Sequence, residues 1–491
     1  MFLGIDLGTS AVKAALVDAD DRVVAQTSAP LDVACPRPQW SEQDPEDWWL
    51  ATRGALAGLR RSAPRELARV EAVGLSGQMH GATLLDASDR ALRPAILWND
   101  GRSEPQCRAL EAAAPVRAVT GNAAMPGFTA PKLLWVREHE PEVFHRVARV
   151  LLPKDWLRLR MTGDAATDCS DASGTLWLDV GRRAWSELML EATHLKPAAM
   201  PTLFEGTEVT GTLRPEVARE WGLRPVPVAA GGGDQAAGAA GTGVVLPGTA
   251  SLALGTSGVL FVSGDRFQPN PDRGVHAFCH CLPGTWHQMS VILSAASCLT
   301  WAARALGAES EAALLSEVEA ADRPCQHLSF LPYLSGERTP HNDPTATGVF
   351  VGITHATDRA ALGRAVLEGV AFAFADGQQS LLDADVRIDE VSVIGGGARS
   401  RLWGRILASA LGRPLVYRSG GEVGPASGAA RLARSSVTGE DPREVCKAPP
   451  VEAVVEPEPA LAGLYAARLE PWRGLYRDLR GAFRAAAGEG E

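Results

Sequence analysis

Two glycine–threonine–serine turns, each flanked by apolar runs, constrain this chain more than any other feature of its sequence. The first, Gly8-Thr9-Ser10, separates the apolar residues 2 to 5 from those of 12 to 17. The second, Gly255-Thr256-Ser257, again lies between two apolar runs, about half the chain later. Each pattern is typical of a β-hairpin, and a repeat at this distance predicts a duplicated domain.

Both turns are suited to an anionic ligand, because they offer main-chain N–H groups and hydroxyls. Gly8 allows the backbone to approach a ligand closely. Asp6 precedes the first turn, and carboxylate and water oxygens are preferred by hard divalent cations. Two such hairpins facing each other would hold a polyphosphate from both sides, although a plain hairpin is the alternative for either turn alone.

The composition is that of a large globular protein. A length of 491 residues predicts two or three domains, and 46% of the residues are hydrophobic. The net charge of −10 argues against nucleic acid as a partner, and no apolar run is long enough to span a membrane. The first residues do not resemble a signal peptide, and the eight cysteines form no disulfide framework. We therefore expect a cytoplasmic protein.

The order of predicted elements indicates an α/β architecture. A third strand over residues 23 to 28 follows the first hairpin, and a helix begins after Asp44, which can cap it, with Pro45 in its first turn. A strand over residues 70 to 75 comes next. Strands followed by strand–helix alternation are typical of α/β domains.

Side chains that could bind a ligand follow two of the predicted strands, that of residues 70 to 75 and one over residues 95 to 97. Met79 and His80 come after one of them, and Trp98 and Asn99, with Asp100, come after the next. Open α/β sheets bind ligands beyond the carboxyl ends of their strands. An indole ring beside amide and carboxylate groups suits a small polyhydroxylated ligand, while a loop that merely makes turns is the alternative.

Two runs of three glycines also stand at predicted strand ends. The first precedes Asp234 and Gln235 at the start of a helix of small residues, where Asp234 is either a functional carboxylate or a helix N-cap. The second, Gly395-Gly396-Gly397, would let a flat ring or a ribose lie against the backbone.

One cluster of histidines and cysteines lies between residues 276 and 287. It lacks the ligand-pair spacing of structural zinc sites, so a strand with alternating faces is favoured over a metal site.

Taken in order, these motifs resemble those of the FGGY carbohydrate kinases. The resemblance extends over almost the whole chain and is carried by Asp-Leu-Gly-Thr-Ser, Gln-Met-His-Gly, Trp-Asn-Asp, Gly-Gly-Gly-Asp, Leu-Gly-Thr-Ser-Gly, Gly-Gly-Gly-Ala and Gly-Pro-Ala-Ser-Gly-Ala-Ala. It implies two actin-like (ribonuclease H-like) ATPase domains with a cleft between them. Residues 1–244 would hold the sugar and the catalytic base, and residues 245–491 the nucleotide.

The resemblance also implies roles for individual residues. Asp234 would be the general base, and Asp6 would hold Mg²⁺ through water. The implied sugar-binding residues are Met79, His80, Trp98, Asn99, Asp234 and Gln235, the last standing where many relatives have Asn. The implied nucleotide-binding residues are Gly8, Thr9, Ser10, Lys13, Gly255, Thr256, Gly395, Gly396 and Gly397.

The function implied by the resemblance is ATP-dependent phosphorylation of D-xylulose at its C5 hydroxyl. Another ketose or polyol is the alternative substrate, although a glycerol-type member would carry an Arg-Glu pair at the positions of Met79 and His80. A sugar-responsive actin-like ATPase without catalysis is the alternative class. The expected partners are the sugar and ATP, without nucleic acid or membrane, and a homodimer is left open.

Overall fold

The computed structural model describes residues 1–419 and 424–488, so a few residues of the predicted C-terminal domain lie outside the described part. The strands of the first half are β1 (Phe2–Leu7), β2 (Ala11–Val17), β3 (Val23–Pro30), β4 (Glu42–Gln43), β5 (Ala72–Gly77), β6 (Thr83–Leu85), β7 (Ala95–Ile96), β8 (Arg149–Leu151), β9 (Ala166–Asp168), β10 (Leu178–Asp179), β11 (Ala184–Trp185), β12 (Thr202–Phe204), β13 (Val209–Thr212), β14 (Pro227–Ala229) and β15 (Gly232–Gly233). Its helices are α1 (Pro45–Ser62), α2 (Pro64–Leu67), α3 (Glu104–Ala113), α4 (Val116–Thr120), α5 (Thr129–His139), α6 (Pro141–Phe144), α7 (Pro153–Thr162), α8 (Cys169–Ser173), α9 (Glu187–Ala192), α10 (Pro215–Trp221) and α11 (Asp234–Thr242).

The second half continues with further strands and helices, which include the two longest helices, α14 and α18. Its strands are β16 (Thr249–Leu254), β17 (Gly258–Gly264), β18 (His276–Cys279), β19 (Trp286–Ile292), β20 (Ser329–Leu331), β21 (Val349–Val351), β22 (Glu390–Ile394), β23 (Leu415–Arg418) and β24 (Val451–Val455). Its helices are α12 (Ala296–Ala305), α13 (Glu311–Ala321), α14 (Arg359–Leu382), α15 (Arg401–Leu411), α16 (Pro425–Thr438), α17 (Pro442–Val445) and α18 (Pro459–Ala486). Among the described residues, no helix is long and apolar enough to cross a membrane.

Each half is built on one mixed sheet, and the two sheets share a plan. The first has the order β13-β14-β5-β1-β2-β3, with β15 also paired to β5, and the second has the order β18-β19-β17-β16-β22-β23-β24. In both, the opening strand pairs antiparallel with the second strand of its hairpin and parallel with a later strand on its other side. The two glycine–threonine–serine turns therefore occupy equivalent places, as the predicted duplication requires.

Local sequence accounts for the elements near the first hairpin. The turn closes through a hydrogen bond from the main-chain nitrogen of Gly8 to the carbonyl oxygen of Ala11 (3.1 Å). Strand β1 is buried along its whole length, as expected for a central strand. Helix α1 begins where predicted, because the side chain of Asp44 accepts a hydrogen bond from the main-chain nitrogen of Glu46.

Helix α16 comes from the second half of the chain but packs on the first sheet. A Cβ atom on Gly4 or on Gly74 would lie only 1.7 or 1.9 Å from carbonyl oxygens of α16. On its other side, a Cβ atom on Gly428 would lie 1.8 Å from a carbonyl oxygen of α11. Glycine at these three positions lets the backbones touch. The first sheet is thus covered by a helix from beyond the predicted boundary at residue 244, and that boundary stays a prediction.

The two halves also meet in an apolar cluster. Met79 and Phe128 of the first half are buried with Phe261, Phe278 and Met289 of the second. The ring centroids of Phe128 and Phe278 are 6.1 Å apart in an edge-to-face arrangement, which favours contact between aromatic rings. This cluster fixes one side of the junction between the halves.

Candidate functional site

Three parallel strands of the first sheet end beside one another and place two carboxylates. The register aligns Asp6 on β1 with Ser76 on β5, and Ser76 with Gly232 on β15. Asp234 begins helix α11 directly after β15. The carboxyl ends of these strands therefore bring Asp6 and Asp234 to one edge of the sheet, although 228 residues of sequence number separate them.

The two carboxyl groups influence each other electrostatically. Burial raises the pKa of Asp234 to about 7, and the negative charge of Asp6 is the second cause. Burial also raises the pKa of Asp6, opposed by a hydrogen bond from Ser76 Oγ (3.0 Å) and by the charge of Lys13 on the neighbouring strand. Asp234 nevertheless keeps partial solvent exposure, so it is enclosed by protein but can be reached by a ligand.

The structure does not support the alternative that Asp234 caps α11. Gly233 occupies the N-cap position, and no side-chain capping hydrogen bond is made there. Asp234 is instead the first helical residue. The carboxylate therefore does not cap the helix; it interacts with the neighbouring Gln235 and keeps partial solvent exposure, so a ligand can reach it.

A buried network lies behind the strand that carries Asp234. The main-chain nitrogen of Gly233 donates to Ser170 Oγ (3.1 Å), and Ser170 in turn donates to Asp168. Lys154 Nζ lies 2.8 Å from Asp168 Oδ1, and all three side chains are fully buried. Sequence reasoning missed this support, because the polar stretch around Asp168 also has the composition of a surface turn.

His80, three residues after the end of β5, has a constrained backbone conformation. Its φ angle of 70° lies in the left-handed region, and its Nδ1 is 2.7 Å from the carbonyl oxygen of Gly174. Because a carbonyl only accepts, Nδ1 must carry the hydrogen. Burial lowers the His80 pKa to about 3, so the ring is neutral and Nε2 is a hydrogen-bond acceptor.

Met79 and the loop of Trp98 and Asn99 complete the predicted sugar residues. A Cβ atom on Gly233 would lie 2.9 Å from the sulfur of Met79, which places Met79 next to the residue before Asp234. Trp98 is 49% exposed, and its Nε1 donates to Thr9 Oγ1 (3.0 Å). Asn99 is also exposed, as is Gln235 on α11.

Two further polar residues of the same loop pair with each other. The buried side chains of Asp100 and Arg102 form an ion pair at 2.7 Å. Asp100 also accepts a hydrogen bond from the main-chain nitrogen of Ser41 (2.6 Å). Their role is therefore to hold the loop that presents Trp98 and Asn99.

Four of the five predicted nucleotide residues of the second half line one cavity of about 840 Å³. Gly255 and Thr256 come from the hairpin turn, and Gly396 and Gly397 from the glycine run after β22. Gly395 precedes them with a φ angle of 95°, and a side chain there would collide with the backbone of β16. The cavity is within the usual size range of ligand sites.

The nucleotide residues predicted in the first half lie on its own hairpin. Gly8, Thr9 and Ser10 form the turn, with Ser10 exposed. Lys13 is exposed on β2 and pairs across the hairpin with Asp6. The structure thus places the predicted nucleotide residues in two groups, one at the first hairpin turn and one where the second hairpin turn meets the glycine run after β22.

The residues around Asp6 fit a hard cation. Asp6 and Asp234 repel each other when both are ionised, and a cation between them would relieve that repulsion. Carboxylate oxygens are among the ligands that Mg²⁺ prefers.

The histidine–cysteine stretch contains strand β18, as predicted. Within residues 1–419 and 424–488, no group of three or more His, Cys, Asp or Glu side chains is arranged to hold a metal ion.

Family models match both halves of the chain. The N-terminal domain of the FGGY family of carbohydrate kinases matches residues 1–241, and the C-terminal domain of that family matches residues 250–436. The chain belongs to the FGGY family of carbohydrate kinases. The predicted class, two actin-like α/β domains of a kinase that uses ATP, is thereby confirmed.

Individual relatives agree over almost their full length. The chain is 53% identical to a xylulose kinase of Escherichia coli K12, and the alignment covers 98% of this chain and 99% of the relative. A xylulose kinase of Klebsiella pneumoniae is 52% identical with the same coverage. The crystal structure of a kinase from Brucella ovis, named a xyloylose kinase, superposes with a TM-score of 0.95 at 49% identity, covering 98% of this chain and 99% of that one.

Proposed function

We propose that this chain transfers the γ-phosphoryl group of ATP to the C5 hydroxyl of D-xylulose, giving D-xylulose 5-phosphate and ADP. The observation that carries the proposal is the placement of Asp234. It is a helix-initiating carboxylate with a pKa raised to about 7, beside Asp6 at the ends of three strands. The choice of D-xylulose is supported by the full-length identity to xylulose kinases.

Asp234 would accept the proton of the sugar hydroxyl as that oxygen attacks the γ-phosphorus. A base with a pKa near the working pH combines a useful ionised fraction with a favourable proton transfer. Ser170 holds the main chain directly before Asp234, so the carboxylate starts from a defined position. Transfer then breaks the bond between the γ-phosphorus and the bridging oxygen, which leaves with ADP.

The remaining groups would place the two substrates. The sugar would lie against Met79, His80, Trp98 and Asn99, with Nε2 of His80 accepting a hydrogen bond from a hydroxyl. Main-chain N–H groups of both hairpin turns would face the phosphates, and the cavity beside Gly396 would take the adenosine. Asp6 would hold Mg²⁺ through water, and the cation would neutralise phosphate charge during transfer.

The experiment that tests the function is a coupled assay of ADP release over a panel of ketoses and polyols. We expect release to depend on added sugar and to be fastest with D-xylulose. Equal or faster release with another sugar would assign that sugar instead. Release that is independent of every sugar would favour an ATPase without sugar phosphorylation.

Replacing Asp234 tests the base directly. In Asp234→Asn the side chain keeps its size but cannot take a proton, so kcat should fall by about 10² or more. Binding of D-xylulose, measured by calorimetry, should persist. Near-wild-type sugar-dependent ADP release in this variant would contradict the role.

Stability provides the control for that variant. Because folding raises the pKa of Asp234 above its ordinary value of 3.8, the aspartate contributes most to stability below about pH 4. This contribution is lost as the pH rises through about 7. The Asn variant carries no charge there, so at pH 8 its melting temperature should equal or exceed that of the wild type.

A further inference from the structure

A closed ring of hydrogen bonds surrounds the first hairpin turn. Gln43 Nε2 donates to the main-chain oxygen of Thr9 (2.7 Å), and Gln78 Nε2 donates to Gln43 Oε1 (2.9 Å). Thr9 Oγ1 and Gln78 Oε1 are 3.1 Å apart, which closes the ring. Both glutamines are buried, and the general reaction scheme gives neither of them a role.

The direction of each bond follows from partners that can only donate or only accept. The Gln43 amide nitrogen faces the main-chain oxygens of Thr9 and Asp32 (3.0 Å), so its Oε1 must face the other way. There it accepts from Trp48 Nε1 (3.0 Å) and from Gln78. Gln78 therefore presents its nitrogen to Gln43 and its oxygen to Thr9. The hydroxyl hydrogen of Thr9 must point to Gln78.

Trp98 supplies the second bond to the Thr9 hydroxyl. Its indole nitrogen only donates, so Thr9 Oγ1 accepts from it while donating to Gln78. The single hydrogen of the hydroxyl is thereby used within the protein. Contact of this turn with a phosphate is left to the main-chain N–H groups and to the hydroxyl of the exposed Ser10, whose positions depend on how Thr9 is held.

We propose that Trp98 couples sugar binding to the first phosphate loop, with Gln43 and Gln78 as positioning residues. The proposal rests on the proposed function, which places the sugar against the exposed face of Trp98. A sugar packed on this ring restricts the indole, and the indole N–H then holds Thr9 in the ring of hydrogen bonds. The turn has less freedom left to lose when nucleotide binds, so each ligand raises the affinity for the other.

The substitution Trp98→Phe tests the coupling, because it keeps an aromatic face while it removes the N–H donor together with one ring of the indole. In the wild type, we expect D-xylulose to raise the affinity for the β,γ-imido analogue of ATP by about 3- to 10-fold, as one hydrogen bond permits. In Trp98→Phe this factor should fall to about 1. Calorimetric titrations in both orders measure the factor, which must be equal in the two directions.

Two further comparisons separate coupling from general damage. Trp40 is a half-buried tryptophan whose Nε1 makes no hydrogen bond within the described residues, so Trp40→Phe should keep the wild-type factor. Thr9→Ser keeps the hydroxyl and should also keep the factor, whereas Thr9→Val should lose it.

Several outcomes would overturn the proposal. The first is a wild type in which D-xylulose does not change the affinity for the ATP analogue. The second is Trp98→Phe with the same increase in affinity as the wild type. The third is Trp98→Phe that binds sugar more weakly but keeps that increase. A wild type that phosphorylates D-xylulose while showing any of these results overturns the coupling alone. A wild type that neither binds nor phosphorylates D-xylulose overturns the proposed function and the coupling with it.

Discussion

Asp234 is expected to set the pH dependence of phosphorylation. Its pKa is raised to about 7 by burial and then by the charge of Asp6, and a base acts only when ionised. The value of kcat/KM for the sugar should therefore rise about tenfold per pH unit below pH 7 and level off above it. Initial rates with saturating ATP and Mg²⁺ measure this profile. A midpoint near 4, the ordinary range of aspartate, would contradict the assignment.

His80 is expected to act on the sugar alone. In His80→Asn, the shorter amide can still donate to Gly174 and tolerates a positive φ angle, but the acceptor Nε2 is lost. The KM for D-xylulose should rise several-fold, up to about tenfold, because one neutral hydrogen bond is removed. The KM for ATP should stay unchanged. Parallel rises in both KM values would count against a sugar-binding role.

Strand glycines under helix α16 are expected to tolerate no side chain. In Gly74→Ala the new methyl carbon would lie 1.9 Å from a backbone carbonyl oxygen, so the helix would have to move. We expect a loss of at least about 3 kcal/mol of unfolding free energy, or failure to fold. Urea unfolding followed by circular dichroism measures it.

A glycine in a helix of the same protein provides the matched control. Gly481 lies in α18, and a Cβ atom there would meet no neighbour within 4 Å. Gly481→Ala should stabilise the protein by about 0.5 to 1 kcal/mol, because alanine favours helix more than glycine does. A similar effect of both substitutions would refute the packing argument at Gly74.

The sequence predicts the elements themselves but not the contacts between them. Hairpins, the start of α1 and strand β14 follow from local patterns, so the sequence predicts them, whereas strand β15 consists of glycines that are expected only to follow a strand. The bond from Ser170 to Gly233 joins residues 63 positions apart, and the bond from Trp98 to Thr9 joins residues 89 apart. The spacing of apolar residues along the sequence does not indicate which distant residues form such bonds. For the same reason the sequence suggests that both turns offer their threonine hydroxyl to a phosphate, whereas the Thr9 hydroxyl bonds to Gln78 and Trp98 within the protein.

At the scale of the whole molecule, the two halves are expected to fold only together. The sheet of the first half is covered by α16, whose residues belong to the second. A fragment of residues 1–244 should therefore expose apolar strand surface, bind the dye ANS and aggregate. Co-expression with residues 245–491 should restore a complex with sugar-dependent ADP release. A soluble, monomeric N-terminal fragment with sharp thermal unfolding would contradict this expectation.

The crossing of α16 has a consequence for the timing of synthesis on the ribosome. The strands of the first sheet are complete by Gly233, but the helix that covers them ends at Thr438. At a translation rate of about 5 to 20 residues per second, roughly 10 to 40 s pass between synthesis of the last strand of this sheet and synthesis of the helix that covers it. During that interval the nascent chain carries an exposed apolar face. We expect it to be a client of chaperones that bind emerging chains, and folding of the first half to finish only after most of the second has been translated.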